Sequence, residues 1–334
     1  MMGISARLAV ILAVLLAAWP MPTVAQTYAI NSVSTTDIGK VAAAASGTTV
    51  FTVDPSSGTI TKKSGNGARV SVAATRSLVT ISCGNQAACI TDKPKITIAQ
   101  TGTPTNRANP LTLFTLSTTG ATASIVTAPG TGNTITATLG VTGQNSSKTI
   151  YVGMDTTFAG DNSAAATGSA TASFSVQVTT NKGAGAISSS GQVTATVFRT
   201  LTISLGSNLS FGRVSRPRSG SGTASLTAGA STVAVTGVGV AVIPNPAPTS
   251  ATLTATGEGG QTLSISVPST FTMSNGSNSL TVTTNAINSG AQMLSGAVGS
   301  AGTKTVTVGG SFPLTTTTAL GAYTGSFVVT FQYN

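Results

Sequence analysis

Apolar and polar side chains alternate along residues 321–334, the last fourteen of the sequence. This period of two is typical of a β-strand that has one face in a hydrophobic core. The printed sequence places no further strand after this one, and an unpaired strand edge can accept a strand from another chain. We therefore expect this strand to be a surface for strand addition. Its glycine and inward-facing residues are Gly321, Tyr323, Phe327, Val329, Phe331 and Tyr333.

Short alternating runs of the same kind recur along the chain, and the composition disfavours helices. Only 7% of the residues are charged and 4% are aromatic, with 38 glycines, so the charged residues that favour helices are scarce. Turn signals such as Asn275-Gly276 separate the runs, because Asn and Gly tolerate positive φ. These features predict an all-β protein built from β-sandwiches.

An internal repeat indicates the number of domains. Residues 168–180 align without gaps on 321–333, and 37–41 resemble 210–214 in the same order. The sequence therefore predicts two tandem immunoglobulin-like β-sandwich domains. The expected segments are a signal peptide at 1–25, a first domain at 26–181, a linker at 182–192 and a second domain at 193–334.

The linker prediction depends on composition, because residues 182–192 are rich in Gly and Ser and such segments are typically flexible. The residues that follow, from Gln192 to Phe198, alternate again and provide more strand than the second domain needs. This surplus strand could instead close the first domain.

Residues 1–25 have the features of a secretory signal. Arg7 precedes an apolar run at 8–18, and small residues at 23–25 form a cleavage site. The run is too short to span a bilayer as a helix. We expect a mature protein that begins at Gln26, is secreted through the periplasm and acts outside the cell or at its surface.

Cys83 and Cys89 are the two cysteines of the chain. Export favours a disulfide between them, which would pin a hairpin or loop of the first domain. A metal site is not expected, because the chain has no histidine and two cysteines cannot complete a tetrahedral zinc shell. No cofactor is expected either.

The residues available for catalysis favour a non-enzymatic protein. The lack of histidine excludes Ser-His-Asp and Cys-His arrangements, and no two of the six acids form a recognisable acid/base motif. The net charge of +10 could attract polyanions, but the basic residues are scattered and no aromatics interleave with them. Nucleic-acid binding is therefore not predicted.

One stretch of the first domain is a candidate ligand loop. Tyr151 could stack on a sugar, and Asp155 and Asp161 in the same stretch could bind hydroxyls or Ca²⁺. The alternative is a solvated loop between two strands.

The end of the chain resembles the C-terminus of chaperone–usher pilins, which have a glycine fourteen residues from the end and a penultimate tyrosine, as Gly321 and Tyr333 are here. In that family the subunit lacks the last strand of its sandwich. A periplasmic chaperone lends that strand, and the N-terminal extension of a neighbouring subunit replaces it.

A wider resemblance covers nearly all of residues 195–334. It is carried by LSFGRV at 209–214, by 252–282 and by the final strand, and it reaches the first domain more weakly. The resemblance is to a secreted bacterial β-sandwich family of unknown function, allied to chaperone–usher pilins and spore-coat-U-like proteins.

Together these resemblances imply a fimbria-type subunit. Tyr28 and Ile30 align with Leu201 and Ile203, so the start of the mature chain is already used as a first strand and is not free for donation. This implies a terminal, tip-adhesin-like subunit whose partners are a periplasmic chaperone or a neighbouring subunit, with a host or surface glycan as a candidate ligand. The alternatives are a self-contained structural surface or matrix protein and a carbohydrate-binding module.

Overall fold

A computed structural model describes residues 27–71, 74–243 and 245–334. The predicted signal peptide and Gln26 lie outside these described residues. Within the described residues, no helix has the length and apolar character needed to cross a membrane.

The N-terminal half of the described chain contains one short helix, α1 (Ala88–Thr91), and otherwise β-strands. These strands are β1 (Tyr28–Val33), β2 (Thr36–Ala42), β3 (Thr48–Val53), β4 (Ile60–Ser64), β5 (Ala68–Arg69), β6 (Ser77–Cys83), β7 (Lys95–Thr101), β8 (Thr112–Ser117), β9 (Ile125–Thr127), β10 (Thr134–Leu139), β11 (Ser146–Ala159), β12 (Gly168–Thr179) and β13 (Ile187–Phe198).

These strands form a β-sandwich, called here the first sandwich. One sheet has the order β1-β6-β11-β3-β4 with β8 beside β11, and the other has the order β5-β2-β13-β12-β7-β10-β9. The core lies between the sheets because alternate residues of the strands point inward. Phenylalanines pack there in pairs: Phe51 and Phe158 of one sheet lie 6.2 Å apart between ring centroids, and Phe114 meets Phe174 of the other sheet at 5.9 Å.

Strand β13 closes the first sandwich from within the same chain. It pairs antiparallel with β12 and parallel with β2. The linker prediction is therefore wrong for residues 187–192, which belong to β13. The glycine that suggested flexibility has a packing role, since a Cβ on Gly191 would overlap the ring of Phe174.

The C-terminal half forms the second sandwich and is all-β within the described residues. Its strands are β14 (Thr202–Ser207), β15 (Arg213–Val214), β16 (Ser219–Leu226), β17 (Ala234–Val238), β18 (Val242–Ile243), β19 (Ala251–Glu258), β20 (Thr262–Ser266), β21 (Thr270–Asn275), β22 (Asn278–Ile287), β23 (Gly290–Met293), β24 (Ala301–Thr315) and β25 (Thr330–Tyr333).

The large sheet of the second sandwich has the order β14-β19-β24-β16-β17, with β22 paired to β24 and β21 paired to β22. A three-stranded sheet, β23-β20-β25, and the pair β15-β18 complete it. Its buried apolar residues fall into two clusters, one around Leu263 and Tyr333, which Phe198 at the end of β13 joins, and the other around Phe211 and Phe312. The prediction of an all-β protein with β-sandwich architecture is confirmed.

The predicted disulfide joins Cys83 at the end of β6 to Cys89 in α1. Both cysteines are buried. The bond fixes α1 against the end of strand β6.

Replacing both cysteines by alanine should lower the free energy of unfolding of the first sandwich by about 2 kcal/mol, because the short loop is no longer closed in the unfolded chain. Chemical denaturation measures this change. Reduction of the unmodified protein is the matched control, since it opens the loop without removing the buried sulfur atoms. Equal stability before and after reduction would contradict the prediction.

Candidate functional site: an open groove in the second sandwich

The predicted strand-addition surface lies along one side of the second sandwich. The predicted strand along 321–334 is regular only over residues 330–333, which form β25 and pair antiparallel with β20. Upstream, Thr324 forms a bridge with Ser274 of β21, through hydrogen bonds of 2.8 and 3.0 Å in the two directions. On the other side of residues 321–333, called here the C-terminal segment, no strand of the described chain is paired.

The C-terminal segment is the counterpart of β12, but it is less deeply buried. Strand β12 lies between β7 and β13, and its inward-facing side chains are completely covered. The corresponding side chains of the C-terminal segment, 153 positions later, are only half-buried, and Tyr333 near its end is buried. The pairs are Phe174 and Phe327, Val176 and Val329, and Val178 and Phe331.

A groove of about 590 Å³ opens beside the C-terminal segment. One wall comprises residues 209–214 with Arg216, and the other comprises 318–323. Its floor is lined by apolar side chains of the core, among them Met273, Phe312 and Leu314.

The groove occupies the position that β13 holds in the first sandwich. The wall at 209–215 corresponds to 36–42, which contains β2, and Gly321 corresponds to Gly168 at the start of β12. In the first sandwich, β13 lies between these two strands, with Val197 paired to both Val41 and Gly168. In the described part of the second sandwich, no strand lies between the equivalent walls.

Strand β14 presents further exposed apolar side chains, outside the residues that line the groove. Its Ile203 and Leu205 are 50% and 60% exposed. The counterpart of Ile203 in the first sandwich, Ile30 on β1, packs partly buried against the core beside β13. A strand in the groove would therefore also cover part of β14.

The candidate ligand residues of the first sandwich are placed differently from the prediction. Tyr151 and Asp155 lie on strand β11, not in a loop, and Asp161 lies just beyond its end. The Arg76 guanidinium lies 3.4 Å from the centroid of the Tyr151 ring and covers one face.

Both acids of this set already have protein partners. Asp155 is buried and accepts hydrogen bonds of 2.6 Å from Thr52 Oγ1 and from Lys63 Nζ. Asp161 pairs with Arg107 and accepts the backbone N–H of Thr200 at 2.8 Å. Within the described residues, no cluster of three or more potential metal-binding side chains is found.

Sequence reasoning missed the junction between the sandwiches, which is organised around Glu258. This carboxylate is completely buried. It accepts hydrogen bonds from Thr167 Oγ1 at 2.9 Å, from the backbone N–H of Arg199 at 3.2 Å and from the backbone N–H of Gly299. The Arg199 Nε lies 3.7 Å from the same carboxylate.

The C-terminal segment is tied directly to this junction. Tyr333 Oη accepts the backbone N–H of Glu258 at 2.7 Å and donates to the carbonyl of Arg199 at 3.1 Å. Burial raises the pKa of the Tyr333 phenol, so it stays protonated and able to donate at neutral pH. Lys40 of the first sandwich donates to the carbonyl of Asn334 at 3.0 Å. The end of the strand that borders the groove therefore contacts both sandwiches.

Residues 201–333, which are most of the second sandwich, match the model of a family described as a domain of unknown function, DUF4402. A search of curated proteins finds no match to this chain.

Two solved structures that resemble the chain are chaperone–tip subunit complexes. One is the CsuC–CsuE chaperone–tip adhesion subunit pre-assembly complex from the archaic chaperone–usher Csu pili of Acinetobacter baumannii, with 12% identity, 92% of this chain and 99% of that chain covered, and a TM-score of 0.29. The other is a chaperone–tip adhesin complex of CFA/I fimbriae biogenesis, with 9% identity, 77% and 90% coverage, and a TM-score of 0.26. At these TM-scores the likeness is distant.

Proposed function

We propose that this protein is a non-enzymatic, extracellular fimbria-type subunit whose second sandwich accepts a β-strand from a partner. One observation carries the proposal: the first sandwich holds β13 between β2 and β12, and the second sandwich has an open groove between the equivalent segments. The partner is a periplasmic chaperone before assembly and a neighbouring subunit afterwards.

The expected energies support strand addition. A strand of about eight residues gains several backbone hydrogen bonds at about 1 kcal/mol net each. Covering a fully exposed large apolar side chain contributes about 1.5 to 3 kcal/mol, and side chains that are already partly covered, such as Phe327 and Leu205, contribute a fraction of that. The sum is comparable to the whole stability of a typical domain.

The pairing of the described strands favours a terminal position in the assembly. Strands β1 and β2 are paired inside the first sandwich, and β13 closes that same sandwich. The described residues therefore present an acceptor groove but no free donor strand. In this arrangement the first sandwich faces outward, and we propose adhesion, with a glycan as the candidate ligand, as its role.

The test uses the full chain, purified at low concentration from an oxidising compartment, and a synthetic peptide with the sequence of residues 187–198. Because this peptide is the strand that fills the equivalent position in the first sandwich, we expect it to bind the second sandwich. Hydrogen exchange should then slow at the backbone amides of 209–216 and 321–333, and self-association of the free chain should decrease.

The control peptide carries Val193→Asp and Val197→Asp, which place charges at two buried positions of β13 and should abolish binding. A monodisperse, sharply melting monomer whose amides are unaffected by the parent peptide would contradict the proposal. That result would favour the alternative, a self-contained surface or matrix protein.

A further inference from the structure

The rim of the groove carries positive charge that nearby acids do not neutralise. Between residues 199 and 334 the sequence has one acid, Glu258, and it is buried at the junction. Arg213 and Arg216 are exposed and line the groove. Neither forms an ion pair with another residue of the described chain. Arg216 reaches across the groove, with its Nη1 3.5 Å from the carbonyl of Thr318 on the opposite wall.

The first sandwich shows where a strand in the groove would meet these arginines. Arg213 corresponds to Lys40 of β2. Lys40 is exposed, whereas Ile38 and Val41 of the same strand are buried, so Lys40 lies on the outer face of the sheet. Lys40 is paired in register with Thr196 of β13, which also lies on the outer face. A strand held in the same register therefore places an outward-facing residue beside Arg213.

We propose that the strand that fills this groove carries an acidic residue at the outward position level with Arg213, which is the position of Thr196 in β13. The inference rests on the proposed function and specifies the partner: an extended segment with small or apolar residues at inward positions and Asp or Glu at this one. Opposite charges on neighbouring strands stabilise their pairing. A strand with a basic residue at this position would be repelled by Arg213 and so excluded.

The charge pair also selects the register of the incoming strand. A slip by one residue would turn the acid toward the core, where an unpaired carboxylate is strongly disfavoured. A slip by two residues would keep it on the outer face but move it about 7 Å along the groove, away from Arg213. Apolar alternation alone does not distinguish the native register from the second slip.

The test compares three peptides with the full chain: the sequence of residues 187–198, the same peptide with Thr196→Glu, and the same peptide with Thr196→Lys. Affinities are measured by fluorescence anisotropy at low ionic strength. We expect the Glu peptide to bind about fivefold more tightly than the Lys peptide, as for a partly exposed charge pair. In 1 M salt, where charges are screened over about 3 Å, the difference should largely disappear.

Two variants of the protein test whether Arg213 is the source of the difference in affinity between the Glu and Lys peptides. Arg213→Gln should remove the discrimination between the Glu and Lys peptides. Arg218→Gln should preserve it, because Arg218 is exposed but does not line the groove.

The possible failures are distinguishable. If the 187–198 peptide and its Glu and Lys variants all fail to bind the protein, the strand-acceptor function is wrong and this inference falls with it. If all three bind equally, the strand-acceptor function stands and the acidic position is overturned. If Arg218→Gln reduces the discrimination as much as Arg213→Gln, the attraction comes from the net positive charge of the sandwich, and the specific pairing is likewise overturned.

Discussion

Replacing Phe174 by alanine should lower the free energy of unfolding of the first sandwich by about 3 to 5 kcal/mol, as is usual for a buried phenylalanine. The same change at its counterpart Phe327 should cost the free second sandwich clearly less. Phe174 is fully covered, in contact with Phe114 and facing the closing strand. Phe327 is only half-buried and packs against Phe271 at 5.0 Å between centroids.

Chemical denaturation is monitored by hydrogen exchange at amides of each sandwich, which measures the loss of unfolding free energy in the two sandwiches separately. The 187–198 peptide should then stabilise the unmodified second sandwich but have little effect on the Phe327→Ala variant, because the side chain that it would cover is gone. Equal costs at the two positions in the absence of peptide would mean that Phe327 is already covered, and that the groove is not an acceptor site.

Replacing Glu258 by alanine should destabilise the protein by about 3 kcal/mol and loosen the contact between the sandwiches. The change leaves the Thr167 hydroxyl and the backbone N–H groups of Arg199 and Gly299 without their acceptor. It also removes the ion-pair partner of the Arg199 side chain, whose Nη2 then keeps only the carbonyl of Gly299 as an acceptor. Breaking a buried ion pair on one side typically costs about 3 to 5 kcal/mol. The lower end applies because the Arg199 side chain is 29% exposed and remains partly hydrated.

Denaturation gives the loss in stability, and small-angle scattering reports whether the two sandwiches become mobile relative to each other. Glu258→Gln is the matched control, since it keeps the shape of the side chain and one acceptor oxygen, and its effect should be intermediate. Unchanged stability and an unchanged scattering profile for Glu258→Ala would show that the junction does not depend on this carboxylate.

The sequence contained enough information to predict the strands and the repeat, because alternation and turn residues are local properties. It misled at residues 187–192, where Gly191 suggests a flexible linker when considered alone. The reason for that glycine is the ring of Phe174 on the neighbouring strand, and the contact is visible only once the register of β12 and β13 is known.

The same limitation explains one error and one omission in the site prediction. Asp155 suggests an exposed loop, but it is buried in the central strand β11 because Lys63 and Thr52 satisfy its charge there. Glu258 occurs in a glycine-rich hairpin signal, and its partner Thr167 is 91 residues away in the sequence. Contacts between residues so far apart leave no local pattern. The groove, by contrast, could be anticipated from the repeat, since it is the difference between two otherwise similar units.

The closure of the first sandwich by β13 also dictates the order of events while the chain emerges during synthesis. Thr36 and Thr194, which meet where β2 pairs with β13, are 158 residues apart, and Lys40 is 294 residues from its partner Asn334. Contacts this distant in sequence form slowly, and chains that wait for them expose unpaired edges. The N-terminal sandwich must therefore pass through an interval in which its own position between β2 and β12 is open, and this interval ends only when β13 arrives.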